Sequence, residues 1–378
     1  MKNIGFDAKR IVRNATGLGH YGRTLVNALS EQLPGSCTLN LYAPDPGRDD
    51  LHRELAAAPN IVFRYPQGKP SRIRRDLWRT FGIAADLRRD GIELFHGLSG
   101  ELPIGLRKAG IPGVATIHDL IFIRHPEYYN PIDVAIYKWK FRSVCREATR
   151  LIAISQRTKR DIIELGHFPE ERIDLVYQSC STRFKDIASD AKKTEVKARY
   201  NLPDHYVLSV GTIEQRKNAG LAIEAMAQMP QNTHLVLVGR KTKYTEKILK
   251  KAQKTGVYSR VRVVSGVPDA DLPAIYQQAE AFVYPSRYEG FGIPIIEAIQ
   301  SRLPVVAATG SCLEEAGGPS CYYVGPDDAE AMARAMLHAT TFGSERSNRI
   351  AAALEYVERF ENQDIARQVA DVYEKTLL

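Results

Sequence analysis

Two glutamates, Glu289 and Glu297, bracket the run E-G-F-G-I-P-I-I-E within residues 284–300. Pro294 suits the first turn of a helix, whose N–H groups and dipole attract an anion or a ligand hydroxyl. The spacing predicts Glu289 on the loop before that helix and Glu297 on its first turn, close enough to reach the same pocket. Two carboxylates sharing a cleft can hold the hydroxyls of a sugar and of a ribose by accepting hydrogen bonds. The alternative use of Glu297 is only that of an acid favoured in the first turn of a helix.

A second cluster is R-N-A-T-G-L-G-H-Y-G-R-T-L, residues 13–25, where Gly17, Gly19 and Gly22 have the spacing G-x-G-x-x-G. A dinucleotide site needs those glycines directly between a strand and its helix, so that a pyrophosphate lands on the helix N-terminus. Here the strand-like run is Asn3–Phe6, and Asp7–Thr16 reads as a loop of about ten residues, long for that turn. Asp45 keeps the acidic partner of a dinucleotide site open. Two other uses stand beside it: a flexible turn capping a helix over Tyr21–Gln32, or a loop whose lack of Cβ atoms lets backbone approach a ligand.

The elements that must carry these residues show a βαβ rhythm, short apolar runs alternating with helical stretches, which is the pattern of parallel sheets covered by helices. NIGF, TLNLYAP, IELFHG, VATIHDL, RLIAIS and RIDLVYQ read as strands of a first half. After the polar stretch 186–200 come YVLSVGT, THLVLVG, RVRVVSG, AEAFVYPS and LPVVAAT. Most runs end in a small or polar residue, as expected where loops at the carboxyl ends of parallel strands carry function. The expected organisation is α/β, two doubly wound domains joined near residue 190 with a ligand cleft between them, and a last helix at 362–378.

The chain has 378 residues, 44% hydrophobic and 25% charged, the balance of an ordinary globular protein and long for one core. No apolar run is long enough to span a membrane and the first residues lack an apolar signal core, so a cytoplasmic protein is expected. Five cysteines without a C-x-x-C pair point to free thiols and away from a structural zinc. The net charge of +8 lies wholly in the first half. Its densest piece, GKPSRIRRDLWR, carries Arg72, Arg74, Arg75 and Arg79 beside Leu77 and Trp78, and suits a solvated face, an anionic membrane surface or, without any accompanying fold signature, nucleic acid.

The string Glu, seven residues, Glu around G-F-G-x-P resembles the signature of the family 4 retaining glycosyltransferases, which have the GT-B fold of two Rossmann-like domains facing each other across a cleft. Further pieces agree in order. VGTIEQRKNAGLAIEA (210–225) resembles the family's diphosphate-binding segment, and GVPDADLPAIYQQAEAFVYPS (266–286) its nucleotide-side strand, helix and strand. ATIHDLIFIRHPEYY (115–129) resembles its N-domain histidine loop. The likeness covers nearly the whole chain and is greatest toward bacterial O-antigen mannosyltransferases. It implies an acceptor-side domain over 1–190, joined by the helix 362–378, and a nucleotide-sugar domain over 191–361.

The resemblance also implies roles. The glycine loop with Gly17 and Gly19 would face the donor diphosphate and the acceptor. Arg216 and Lys217 would meet the negative charge that builds on the leaving nucleoside diphosphate, Arg through paired N–H bonds and Lys as a point charge, so that no metal and no cofactor is needed. Thr212 departs from the pattern, since many members carry Arg there. His118 would lie beside the donor sugar; its near-neutral pKa also suits an acid or base, and a satisfied core histidine is the plain alternative. Glu289 would bind sugar hydroxyls, the backbone of Gly290, Phe291 and Gly292 the sugar and phosphate, and Glu297 the ribose; Arg240 and Val267 would lie near the base. The implied reaction moves mannose or a 6-deoxymannose (rhamnose) from a GDP-sugar, with retention, to a hydroxyl of a lipid-linked glycan at the inner membrane face. Other readings are a UDP-sugar-dependent transferase, a sugar-nucleotide epimerase or hydrolase on the same fold, and a noncatalytic nucleotide-sugar scaffold.

Overall fold

Val, Ile and Leu fill both faces of the short strand runs, as in parallel strands buried under helices on either side. The computed structural model describes residues 1–15, 17–68 and 71–378, and the backbone but not the side chain of Arg72. Thr16 of the glycine segment and Lys69 and Pro70 of the basic segment therefore lie outside the described residues. The chain divides into two compact units, the first made of Met1–Ser179 with Phe360–Leu378, the second of Cys180–Arg359.

The first unit holds β1 (Asn3–Asp7), β2 (Thr38–Tyr42), β3 (Ile61–Arg64), β4 (Leu94–Gly97), β5 (Gly113–Ile117), β6 (Arg150–Ala153) and β7 (Ile173–Leu175). They form one sheet in the order β3-β2-β1-β4-β5-β6-β7, and the described pairings are parallel. The second unit holds β8 (Tyr206–Val210), β9 (His234–Val238), β10 (Val261–Val264), β11 (Ala281–Tyr284), β12 (Val305–Ala308) and β13 (Tyr322–Val324), in the order β10-β9-β8-β11-β12-β13 and again parallel. In each sheet the winding reverses once, between β1 and β4 and between β8 and β11. A doubly wound sheet opens its ligand crevice at the carboxyl ends beside that reversal.

Two edge strands were not expected from the sequence. β3 and β13 are short and only half buried, so each is held by one neighbour rather than by a long apolar run. The helix Asn362–Leu377 packs in the first unit: Ile365, Val369 and Tyr373 join the core formed by Phe6, Leu29 and Leu41.

The glycine segment corrects the expected loop. Residues 9–13 form a helix, α1 (Lys9–Arg13), and α2 runs over Gly17–Gln32, so Gly17, Gly19 and Gly22 lie inside a helix rather than before it. A Cβ on Gly19 would stand 1.8 Å from the Asn14 carbonyl oxygen, and one on Gly22 would stand 2.9 Å from Ile11. These two glycines let α2 pass against α1, a packing need that accounts for their spacing without a bound dinucleotide.

Candidate active site

In the second unit the reversal between β8 and β11 brings two loops together. Gly211 leaves β8 at φ +143°, and a 3₁₀ turn, Gln215–Lys217, presents Arg216 and Lys217. Gly239 lies so close under this loop that a Cβ there would stand 1.9 Å from the Gly211 carbonyl oxygen. From the other side, the loop after β11 presents Glu289, and Gly292 (φ +132°) starts the helix Ile293–Gln300. A Cβ on Gly292 would press on Ala316 at 3.1 Å. Glycine is required there by both conformation and space.

The side chains of these loops meet. Arg216 Nη1 lies 2.7 Å from Glu289 Oε2 and Lys217 Nζ 2.5 Å from Glu289 Oε1. Arg216 also donates to the Tyr288 carbonyl oxygen at 2.6 Å and to Glu214 at 2.8 Å. The buried Tyr284 hydroxyl donates to Glu289 Oε1 at 3.1 Å and also contacts Lys217. Burial by itself would raise the Glu289 carboxyl, but Lys217 and Arg216 overcome it and hold it down to about 2. The result is a carboxylate ionised at neutral pH that pre-orients two cations, each still part-exposed. The thiol of Cys312 donates to the carbonyls of Glu289 and Phe291 at 3.1 and 2.9 Å, tying the loop to the helix that follows β12.

Glu297 does not occupy the first turn. It is the fifth residue of its helix, so the expectation of a first-turn acid is corrected. The Tyr276 hydroxyl donates to its Oε2 at 2.8 Å. Burial pushes the Glu297 carboxyl up to about 7, with Asp269 adding to the rise and Tyr276 and Arg183 opposing it. Arg183 and Asp269 form their own ion pair at 3.4 Å. Arg240 is exposed just after β9, and Val267 follows Gly266 (φ +72°) just after β10. These loops thus share the carboxyl edge of the second sheet with the Arg216, Lys217 and Glu289 cluster.

His118 belongs to the first unit, just beyond β5. Its Nε2–H donates to the Leu98 carbonyl oxygen at 2.8 Å, and its Nδ1 accepts from Gln178 Nε2 at 2.8 Å. Burial lowers it to about 4, so the ring is neutral and both nitrogens are engaged. This arrangement holds the ring in one tautomer and orientation. Tyr21 meets it edge to face with centroids 4.8 Å apart, and the Tyr21 hydroxyl lies 3.1 Å from Thr116 Oγ1. Behind these, buried His96 bridges Thr116 at 2.9 Å and the Tyr373 hydroxyl at 2.7 Å. Gly17 is exposed at the start of α2, whereas Gly19 is buried.

The sequence reading missed Tyr284, Tyr276, Cys312 and His96. Tyr284 and Tyr276 lie inside apolar runs and carry no motif, so only the partners of their hydroxyls reveal them. The basic segment is also corrected. Arg75 donates to Asp45 at 2.6 Å, and Arg79 donates to Asp7 at 2.7 Å and to Glu101. Two of its arginines therefore answer internal carboxylates instead of forming an outward charged face. Among the described residues, no three His, Cys, Asp or Glu side chains converge as metal ligands would, and no helix is long and apolar enough to cross a membrane.

Comparison with known proteins agrees with this architecture. Residues 16–183 match the family model Glycosyltransferase Family 4 and residues 190–355 match Glycosyl transferases group 1. An O-antigen chain mannosyltransferase B of Escherichia coli is 30% identical, covering 98% of this chain and 99% of its own. The solved structure of Anabaena HepE in complex with UDP and glucose superposes with a TM-score of 0.75 at 17% identity, covering 99% of this chain and 100% of that one. WaaG, a glycosyltransferase involved in lipopolysaccharide biosynthesis, superposes with a TM-score of 0.72 at 16% identity over 98% of this chain and 99% of its own. With two parallel Rossmann-like sheets of GT-B type, and a full-length relative at this identity, the chain belongs to the family 4 glycosyltransferases and is a hexosyltransferase.

Proposed function

We propose that the enzyme moves mannose or 6-deoxymannose from a GDP-sugar, with retention of configuration, to a hydroxyl of a lipid-linked glycan in O-antigen or another surface-polysaccharide synthesis. The observation that carries the donor side is the pairing of Arg216 and Lys217 with one ionised Glu289 at the β8–β11 reversal. Arg216, which also pairs with Glu214, and Lys217 keep part-exposed N–H donors for a diphosphate, and their fixed positions favour the charge that develops as the sugar departs. In this reading they supply what a divalent ion would otherwise supply. Glu289 then accepts from sugar hydroxyls through its remaining lone pairs, and Glu297 accepts from the ribose.

The choice of mannose rests on the mannosyltransferase relative. The leaving phosphate takes the acceptor's proton on the face from which it departs, since His118 has both ring nitrogens occupied. Association with an anionic membrane is proposed through Ile73, Leu77 and Phe81, which recur every four residues and are 73%, 52% and 54% exposed. They follow the helix Arg72–Leu77 into a π-helical turn, Trp78–Gly82, whose wider winding keeps residues four apart aligned.

The test is thermal stabilisation by a panel of nucleotide sugars with EDTA present, followed by product analysis with a mannoside acceptor. A ligand that binds only the folded state raises its melting temperature by mass action. A selective shift with GDP-mannose or GDP-rhamnose in EDTA, and an α-linked product, is the expected result. A selective shift with UDP-sugars overturns the donor, and product formed without acceptor moves the reaction to hydrolysis or epimerisation. For the membrane, replacing Ile73, Leu77 and Phe81 by Ser should abolish binding to phosphatidylglycerol vesicles. Undiminished binding removes that part of the proposal.

A further inference from the structure

The loop after β11 has a neighbour on each flank, because the second sheet runs β8-β11-β12. On one flank stand Arg216 and Lys217, which follow β8. On the other stands Cys312, which follows β12 and precedes the short helix Leu313–Gly317. The loop rests closely on that helix: a Cβ on Gly292 would meet Ala316 at 3.1 Å and Leu313 at 3.2 Å. Cys312 itself is fully buried, and its one S–H is shared between the carbonyl oxygens of Glu289 at 3.1 Å and Phe291 at 2.9 Å. Burial, and next the charge of Glu289, push this thiol well above its ordinary range, so it stays a protonated donor.

Two carbonyls held by one thiol fix two peptide planes. A trans peptide is planar, with its N–H pointing opposite to its C=O. With the Glu289 and Phe291 carbonyls turned to Cys312, the N–H groups of Gly290 and Gly292 turn away from it, toward the flank of Arg216 and Lys217. The Tyr288 carbonyl has the reverse orientation and accepts from Arg216 at 2.6 Å on that flank, where the Arg287 N–H also donates to the Arg216 carbonyl at 3.0 Å. The loop is thus anchored on both sides, and the thiol is the anchor opposite the cations. A thiol is a weak donor. Buried carbonyls that lose their donor are costly, however, so without it both planes are driven to turn toward other partners.

We propose that Cys312 is a positioning residue of the transfer reaction: its thiol holds the 289–290 and 291–292 peptides so that the Gly290 and Gly292 N–H groups face the departing phosphate and its sugar. The proposal rests on the reading that this loop holds the donor. N–H groups aimed in advance need no reorientation as charge develops, which is where preorganised dipoles act.

The test separates the hydrogen-bond donor from the volume it fills. Cys312→Ser keeps a donor, Cys312→Ala removes it, and Cys312→Val replaces it with apolar bulk. In the transfer assay kcat should fall about tenfold in the alanine and valine variants and only about twofold in the serine variant, with the acceptor KM changed less than about twofold in each. Activity that ranks with melting temperature instead of with the presence of a donor overturns the proposal, as does a parental kcat in Cys312→Ala.

The peptide plane is read directly by NMR. Phe–Gly pairs occur at 81–82, 291–292 and 342–343, so protein labelled with carbonyl-13C phenylalanine and 15N glycine gives a small set of peaks that report Phe291 C=O and Gly292 N–H together. The 291–292 peak should stay near its parental position in Cys312→Ser, and its carbonyl shift should move upfield in Cys312→Ala and Cys312→Val. An unmoved peak in Cys312→Ala overturns the proposal. These spectra need no donor, so a wrong donor assignment, which would leave the parent enzyme inactive with GDP-sugars, is read separately. Cys312→Ala carries the comparison if the bulkier valine prevents folding.

Discussion

Arg216 and Glu289 come from loops that follow adjacent strands of the second sheet, and their side chains meet at 2.7 Å, Nη1 to Oε2. The pair fixes the guanidinium before any substrate arrives, which is what electrostatic preorganisation requires. Lys217 completes the arrangement from the other carboxylate oxygen at 2.5 Å.

Removing the shared carboxylate should damage both folding and catalysis. Glu289→Gln leaves Lys217 without a counter-charge and Arg216 with Glu214 alone, and kcat should fall by about 10² to 10³ with a loss of roughly 2 kcal/mol in stability. Because the Glu289 carboxyl is held down to about 2, its contribution is present above the ordinary carboxylate value of 4.5 and is lost as pH falls from there through about 2. Acid melts of the variant should therefore be less steep in that window than those of the parent. Equal steepness would show that the carboxylate is not ionised by its partners.

Arg216→Lys should not rescue function. The guanidinium serves the Tyr288 carbonyl, Glu214 and Glu289 at once, and a point charge cannot reproduce that fork. The expected kcat/KM is lower by about 10²-fold for both Arg216→Lys and Arg216→Ala. Near-parental kinetics in the lysine variant would reduce the role of Arg216 to net charge.

Glu297 predicts an opposite pH response. With its carboxyl raised to about 7, the folded state favours the protonated form. Its stabilising effect is complete below the ordinary value of 4.5 and is lost as pH rises through about 7. Ionisation in turn creates the acceptor that a ribose diol needs. Donor KM and melting temperature should both fall as pH rises across this window, and Glu297→Gln should flatten both profiles. A pH-independent donor KM in the parent enzyme would refute the ribose role.

His118 should stay neutral through the working range. Burial holds it near 4, and Leu98 and Gln178 occupy its two nitrogens. NMR titration of the His118 ring should show no protonation between about pH 8 and 5.5, its pKa lying well below the unperturbed value of about 6.5. Protonation near the unperturbed value would restore the acid or base role.

The glycines divide by what surrounds them. Gly19→Ala would place a methyl 1.8 Å from the Asn14 carbonyl oxygen, and Gly292→Ala combines φ +132° with contact to Ala316 at 3.1 Å. Each should cost about 2 kcal/mol or more in urea unfolding. Gly17 has φ +26° but no atom within 4 Å of an added Cβ, so Gly17→Ala meets backbone strain without a clash and should cost about 1 kcal/mol, less than either.

What the sequence determined is local. Apolar runs such as Val207–Val210 and Phe282–Tyr284 specify buried parallel strands, Pro294 marks a helix start, and the types of Arg216, Lys217 and Glu289 disclose cations and a carboxylate suited to a sugar nucleotide. Each of these signals is carried by a few neighbouring residues and needs no knowledge of distant chain. The tertiary structure decided which of them meet. Strand order sets β8 beside β11, so Arg216 and Glu289 from distant segments share one ion pair; it also turns Arg75 and Arg79 toward Asp45, Asp7 and Glu101. The glycine spacing fits a phosphate loop equally well, and only the path of α2 over α1 shows that it serves helix packing at Gly19 and Gly22. Side-chain partners across a parallel sheet depend on register and crossover, which are properties of the whole assembled core and not of any window of sequence.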